Sequence, residues 1–335
     1  RERLQEDINA ILSTGVDVKL NTTIGTEELK QIQQEYDAIY VAIGAHTDKK
    51  LGLEGEDSKN VISAVDMLRE IGDGAYPDYT GKRVVVVGGG NVAMDCARTA
   101  MRANAETVSI VYRRRQEDMT ALPAEVEGAI AEGIELVTLK APLRVEADAE
   151  GNACALWVQP QIIGPVKGGR PSPRKANKPE ERMECDIVLV AIGQDIVSGP
   201  FADFGMAVNR GRIAADKGGA ANMVGVYAGG DCVSGPATVI KAIAAGKAAA
   251  ANIDEYLGYH HPISCDVEIP EPMLNDKVPC GRVNLQEVEA WARKTNFEGI
   301  ELPMSCEEAV QEASRCLRCD RHGCGTLRGG REFEW

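Results

Sequence analysis

Residues 84–97 read VVVVGGGNVAMDCA, four valines running into three glycines and then an apolar pattern of helical period. Such a run specifies a buried strand, a tight turn whose backbone approaches a ligand, and a helix packed back on that strand. Gly88, Gly90 and Ala93 form G-x-G-x-x-A, and the strand before and helix after make this otherwise weak motif specific. Gly88 permits the tight turn, Gly90 lets the backbone approach a pyrophosphate, and Ala93 still lets helix and strand pack closely. The pyrophosphate is expected on free backbone N–H groups near Asn91 and Val92, where the helix begins.

The next strand, TVSIVY, ends in RRR about twenty residues further on, where an NAD-binding unit places an acid on the ribose 2′-hydroxyl. Here Arg113 and Arg114 offer guanidinium donors suited to a 2′-phosphate, which favours NADP(H) over NAD(H). The alternative is that both arginines merely face solvent at a strand end.

From Gly81 onward strand and helix alternate through TVSIVY, a helix over Pro123 to Ala131, and IELVTL. That alternation predicts an α/β protein with a parallel sheet and helices on its faces. DIVLVAIGQ (Asp186 to Gln194) echoes DAIYVAIGA (Asp37 to Ala45), which points to two related nucleotide-binding units. Before the first of these the sequence predicts a helix over Arg1 to Thr14, stopped by Gly15, and an alternating strand VDVKLN. Between Val158 and Met183, VKGGRPSPRKANKPEER reads as a solvated insertion or hairpin tip. A further helix starts near Pro236, and a short amphipathic one, CEEAVQEASRCLRC, comes after a proline-rich linker that carries His260 and His261.

At 335 residues the chain has room for more than one core. Its formal charge of −14 argues against a nucleic-acid binder, whose affinity is built on neutralising phosphates. No apolar run reaches the roughly 18 residues of a membrane span, since Lys241 and Lys247 interrupt the alanine-rich stretch. The ten cysteines lack the spacing of a secreted disulfide scaffold and no signal peptide opens the chain, so the expected compartment is reducing cytoplasm.

GKRVVVVGGGNVAMDCARTA, VYRRRQEDM, DIVLVAIGQ and GVYAGGDCVSGPATVIKAIAAGKAAA together resemble the small subunit of glutamate synthase and related NADPH-dependent, FAD-containing oxidoreductases. The resemblance covers nearly the whole chain and implies two dinucleotide-binding, Rossmann-like domains, the NADPH domain inserted into the FAD domain. Residues 1–80 would be the back half of the FAD domain, 81–195 the NAD(P)H domain, 196–258 the closing segment of the FAD domain, and 259–335 a linker with an iron–sulfur extension. The family's FAD unit begins with its own G-x-G-x-x-G, absent from residues 1–80, so the first half is expected upstream of Arg1. Matching positions imply that Gly230 and Asp231 close the FAD ribityl and pyrophosphate region, with Asp231 accepting from a sugar hydroxyl. The following helix N-terminus, Pro236 to Val239 with Ala237 and Thr238 between them, would present N–H groups to the flavin ring's carbonyl and N1 edge. Gly44 and Gly193 end the two AIG strands and are expected against cofactor, where the chain crosses between domains.

Cys316, Cys319 and Cys324 give C-x2-C-x4-C, with Cys306 ten residues upstream. In a flavoprotein this spacing suits an iron–sulfur cluster, 4Fe–4S in type, better than zinc. The fourth ligand stays open among Cys306, Cys280, Cys265 and a partner's residue. The related stretch in the glutamate synthase family precedes the FAD domain, whereas here it follows. That shift points to one component of a larger redox complex, whose partners are a large subunit or a ferredoxin-like acceptor. No C-x2-C lies near the flavin motifs, which speaks against a dithiol mechanism like that of thioredoxin reductase. The expected activity is hydride transfer between NADP(H) and FAD, the cofactors supplying the reactivity, with no catalytic acid or base required. Two alternatives are a subunit of an electron-bifurcating transhydrogenase or hydrogenase, and a non-catalytic iron–sulfur scaffold.

Overall fold

The computed structural model describes residues 2–167, 169–261 and 280–316. The chain forms two compact units, one of residues 2–44 and 196–261, the other of residues 45–195 and 280–316. In chain order, the first unit opens with α1 (Glu2–Leu12), α2 (Thr26–Glu35) and β1 (Ile39–Val41). The second unit then contributes β2 (Thr47–Asp48), β3 (Val61–Ser63), α3 (Ala64–Gly72), β4 (Arg83–Gly88), α4 (Asn91–Arg102), β5 (Thr107–Tyr112), α5 (Pro123–Ala131) and β6 (Glu135–Thr138). It continues through β7 (Lys140–Ala147), β8 (Ala153–Lys167), β9 (Arg170–Lys175), β10 (Glu181–Glu184), β11 (Ile187–Ala191) and β12 (Gln194–Asp195). The chain returns to the first unit with α6 (Gly199–Phe204), β13 (Val208–Asn209), β14 (Arg212–Ile213), β15 (Val226–Ala228), α7 (Asp231–Ser234) and α8 (Val239–Tyr256). Residues 280–316 hold α9 (Ala290–Arg293) and α10 (Cys306–Ser314).

The second unit is built on a parallel sheet in the order β3-β11-β4-β5-β6. Successive strand side chains point to opposite faces, so the valine run of β4 divides in two. Val84 and Val86 join Ile110 and Leu189 under Met94, Ala97 and Ala100 of α4. Val85 and Val87 join Val111, Val188 and Val190 against Val145, Leu156 and Val158 of an antiparallel sheet, β10-β8-β7 with β9 on β8. Among the described residues helices therefore cover one face only; the other is covered by a second sheet, a correction to the expectation of helices on both. A strand buried on both faces reads as unbroken apolar sequence whichever element lies above it.

The division also differs from the sequence reading at its first boundary. The chain enters the second unit at residue 45 rather than 81, because β3 pairs in parallel with β11 and α3 buries Ala64 and Met67 in the same core as α4. The second boundary falls between Asp195 and Ile196. β2 and β12, which lead the chain into and out of this unit, pair antiparallel, and Thr47 Oγ1 donates to the Asp195 carbonyl at 3.0 Å.

In the first unit β1 and β15 pair in parallel, and Leu29, Val41, Phe201, Phe204, Ile213 and Val226 form the core. The predicted strand VDVKLN is not one: residues 16–20 are irregular, with Val16, Val18 and Leu20 exposed. Alternation alone does not make a strand; a neighbour must take its backbone hydrogen bonds, and none of the described strands does. Helix α1 forms as read, and its apolar side chains Leu4, Ile8, Ile11 and Leu12 are all exposed.

Candidate functional site

At the carboxyl end of the parallel sheet a cleft of about 550 Å³ opens inside the second unit. Its floor is the glycine turn. A Cβ at Gly88 would stand 2.4 Å from the Ala191 carbonyl oxygen, and one at Gly89 would stand 2.5 Å from the Tyr112 ring. Both glycines are thus demanded by the protein's own packing. Gly90 differs, because a Cβ there would meet nothing nearer than Thr120 Oγ1 at 3.4 Å. A Cβ there would sit in ordinary van der Waals contact, so the protein's own packing does not demand this glycine, which fits a backbone kept bare for a ligand.

Gly90 also caps α4 without a side-chain hydrogen bond, and among the described residues the N–H groups of Asn91 and Val92 have no acceptor. Two aligned donors and the positive end of a three-turn helix therefore face the cleft. The Asn91 side chain acts elsewhere, since its Oδ1 accepts from the Leu122 N–H at 2.8 Å and fixes the start of α5. The Gly89 carbonyl accepts from Thr120 and Ala121 N–H at 3.0 and 3.2 Å, and Tyr112 Oη donates to the Asp118 carbonyl at 2.9 Å. These bonds hold the turn rigid before any ligand arrives.

Arg113 and Arg114 both line this cleft, together with Ala191, Ile192 and Gly193. Arg113 is exposed and has no carboxylate partner among the described residues, while Arg114 Nε donates to the Pro171 carbonyl at 2.9 Å. Arg115, the third of the run, lies outside the cleft and is taken by Asp118 at 2.9 Å; that hydrogen bond is the main reason the Asp118 carboxyl is held below its usual range. Leu51 and Leu53 supply an apolar wall, their loop drawn tight by Glu56, whose carboxylate accepts from the Leu51 and Gly52 N–H groups. Among the described residues no Asp or Glu lines the cleft. Sequence reasoning missed one cleft residue that matters, Arg170 of β9, because the segment carrying it reads as a solvated insertion.

The residues read as flavin-binding lie in the first unit, apart from Gly193. β1 and β15 run side by side to Val41 and Ala228, and their carboxyl ends lead into Gly44 and into Gly229, Gly230 and α7. Gly44 and Gly230 take φ of +66° and +74°, conformations that favour glycine. Asp231 Oδ1 accepts from the Ala237 N–H at 3.1 Å, so Ala237 is engaged within the chain and Asp231 ties β15's exit to the approach of α8. Thr238 caps α8 by accepting from the Lys241 N–H at 3.4 Å, and Pro236 lies exposed ahead of it. Cys232 is buried beside them without a disulfide partner among the described residues, and burial pushes its thiol pKa up.

Of the cysteine tail, Cys319, Cys324 and Cys265 lie outside the described residues. Cys306 opens α10 and Cys316 lies two residues past its end at Ser314, so at 1.5 Å per residue the helix alone sets its two ends about 12 Å apart. Cys280 Sγ stands 3.7 Å from Ser314 Oγ, at the Cys316 end. Among the described residues no three His, Cys, Asp or Glu side chains gather to hold a metal.

A unit with a glycine turn at the carboxyl end of a parallel sheet, in one chain with a unit whose parallel strands end in glycines, is the paired dinucleotide-binding fold of pyridine nucleotide and flavin enzymes. The chain belongs to the pyridine nucleotide-disulphide oxidoreductase family, whose pattern matches residues 1–246. It is 37% identical to the NADP(+)-dependent formate dehydrogenase subunit beta of Moorella thermoacetica, over 98% of this chain and 49% of that protein. It is 32% identical to the glutamate synthase [NADPH] small chain of Escherichia coli strain K12, over 72% of this chain and 55% of that one. The chain thus spans about half the length of these relatives. Among solved structures, FprA of Mycobacterium tuberculosis in complex with NADPH shares the fold with a TM-score of 0.56, at 20% identity over 68% of this chain and 65% of that one. No described helix is long and apolar enough to cross a membrane.

Proposed function

We propose that this chain is the nicotinamide- and flavin-binding part of an NADPH-dependent oxidoreductase, with NADPH in the cleft of the second unit and FAD at the carboxyl ends of β1 and β15. The observation that carries the reading is the cleft itself: two unpaired helix N–H groups, a Gly90 that the protein's own packing does not demand, and arginine side chains with no carboxylate among the described lining residues. In it, Asn91 and Val92 hold the pyrophosphate, Arg113 and Arg114 hold the 2′-phosphate, and Gly193 edges the cleft. Gly44, Gly230, Asp231, Pro236, Ala237 and Thr238 frame the flavin, the second oxygen of Asp231 serving a sugar hydroxyl. The bound cofactors supply a hydride at the nicotinamide and a flavin able to accept it and release electrons singly. The chain's part is alignment, which makes the encounter effectively unimolecular.

The electrons pass to iron–sulfur centres, one of them held by Cys316 with Cys319 and Cys324. For a fourth thiolate, Cys280 stands at the same end of α10 as Cys316, and Cys306 at the other. The formate dehydrogenase subunit matches almost the full chain and the glutamate synthase chain under three quarters of it, which favours a subunit of a larger flavin and iron–sulfur complex. Its partner is then a large subunit or a ferredoxin-like acceptor, in a reducing cytoplasm where the described cysteines stay free.

Reconstituted full-length protein with a dye acceptor tests the reading, with NADPH oxidised at a KM at least about tenfold below that for NADH. Oxidation of neither overturns it. Ferredoxin-linked NADPH turnover by the purified complex would place the chain in a bifurcating assembly. A preparation colourless in the flavin region that still holds iron and sulfide would make it a scaffold.

A further inference from the structure

The hairpin of β8 and β9 brings Arg170 into the cleft beside Arg113 and Arg114, some sixty residues further along the chain. We propose that Arg170 is a specificity-determining residue of this site, a third guanidinium that grips the 2′-phosphate of NADP(H). The proposal rests on the reading of the cleft as the nicotinamide nucleotide site.

Three observations converge on Arg170. Its location comes first. Arg114 Nε donates to the carbonyl of Pro171, the residue next to Arg170, so Arg170 is anchored to the ribose end of the cleft rather than to the helix end that takes the pyrophosphate. Consecutive Cα atoms lie about 3.8 Å apart, which places the Arg170 backbone directly alongside the Arg114 anchor.

Charge gives the second. The acids of the neighbouring antiparallel sheet, and Glu180 just ahead of it, are already matched: Glu180 by Arg144 at 2.8 Å, Glu181 by Lys140, Glu146 by Arg182 at 3.0 Å, and Glu184 by Arg83 and by Arg182 at 3.3 Å. Arg170, like Arg113, has no carboxylate partner among the described residues. On a chain of net charge −14, a cleft whose charged lining among the described residues is three arginines is a local reversal of sign. Such a cluster repels itself until an anion of high charge enters, and a phosphomonoester carries close to two negative charges at neutral pH.

Chemistry gives the third. A planar guanidinium matches phosphate oxygens with two parallel N–H donors, so a third one adds discrimination against a plain 2′-hydroxyl, which presents one oxygen and no charge. The hairpin is held independently of any ligand, since Gly164 packs so closely on β9 that a Cβ there would stand 2.4 Å from the Ser172 carbonyl oxygen. Arg170 thus reaches the cleft from a pre-built strand.

Calorimetric binding of 2′,5′-ADP and of 5′-AMP to the full chain tests this. Arg170→Ala weakens 2′,5′-ADP about ten- to a hundredfold, leaves 5′-AMP within about twofold, and Arg170→Lys falls between. Arg174→Ala, on the same hairpin but outside the cleft, changes neither, and the Arg170 variants keep the thermal midpoint because the side chain is exposed. Equal weakening of both nucleotides, or none, overturns the role of Arg170 while the cleft reading stands. If the unmodified chain fails to prefer 2′,5′-ADP over 5′-AMP, the cleft reading itself falls, and the role of Arg170 with it.

Discussion

At Gly88, Gly89 and Gly90 one short motif holds residues of different physical necessity. The first two are required by Ala191 and Tyr112, the third by nothing the protein itself supplies. Gly88→Ala therefore is expected to cost stability, about 1–3 kcal/mol from forcing apart two paired strands, read as a lowered denaturation midpoint. Gly90→Ala is expected to leave that midpoint within about 0.5 kcal/mol and to weaken nucleotide binding by about tenfold or more, read by titration with 2′,5′-ADP. The arginine run divides in the same way. The double variant Arg113→Ala, Arg114→Ala is expected to raise the ratio of NADPH to NADH KM by about 10–100-fold, while Arg115→Ala leaves it unchanged and loosens only the turn that Asp118 closes. Sequence spacing indicated which strand end brings Arg113 and Arg114 to the cleft. It did not indicate Arg170, because strand pairing with β8, and not chain proximity, delivers that side chain.

Helix α5 ends beside a carboxylate that three helices share. Glu132 is fully buried and bonds Arg98 at 2.7 Å and Arg102 at 2.8 Å from α4, and Arg293 at 2.9 Å from α9. Arg98 also reaches Glu125, and Arg293 also reaches Glu287, so three cations face three anions. Through Arg293 the segment 280–316 is tied to the nucleotide-binding core. Burial pushes the Glu132 carboxyl upward, but the hydrogen bonds from Arg102 and Arg98 outweigh it and hold the pKa below the ordinary 4.5. A depressed carboxylate contributes stability that is fully present above its unfolded pKa and disappears as pH falls through its folded one. Urea midpoints measured from pH 7 downward are therefore expected to fall below about pH 4.5. Glu132→Gln is expected to flatten that acid limb and to cost about 3–5 kcal/mol at pH 7, since it strands buried arginines without their counter-charge. Arg293→Met tests the tie alone, with faster amide exchange over residues 280–316 and unchanged 2′,5′-ADP binding. If exchange there stays as slow as before, the ion cluster is not what holds the segment.

Across the molecule, each unit has its own apolar core, and the proposed nucleotide site lies wholly in one of them. Saturating 2′,5′-ADP at about a hundred times its Kd is expected to stabilise the second unit by about 2.7 kcal/mol. Amide exchange is expected to slow at residues 89–92 and 113–114 and to stay unchanged at β15 and α8, where the flavin is proposed. Slowing spread evenly over both units would contradict that assignment. Residue order alone was enough for the strand, turn and helix around Gly88, for the parallel pairing they entail, and for the repeat DAIYVAIGA and DIVLVAIGQ, whose glycines stand where the chain leaves and re-enters each unit. These are local signals, written by burial, period and turn chemistry within a dozen residues. Long-range pairing settled the rest: an antiparallel sheet rather than helices covers the second face of the valine strands, VDVKLN finds no described strand to pair with, and Arg170 joins Arg113 and Arg114. Each of those outcomes depends on which distant backbone supplies the hydrogen bonds, and a period-2 or unbroken apolar pattern does not name its partner.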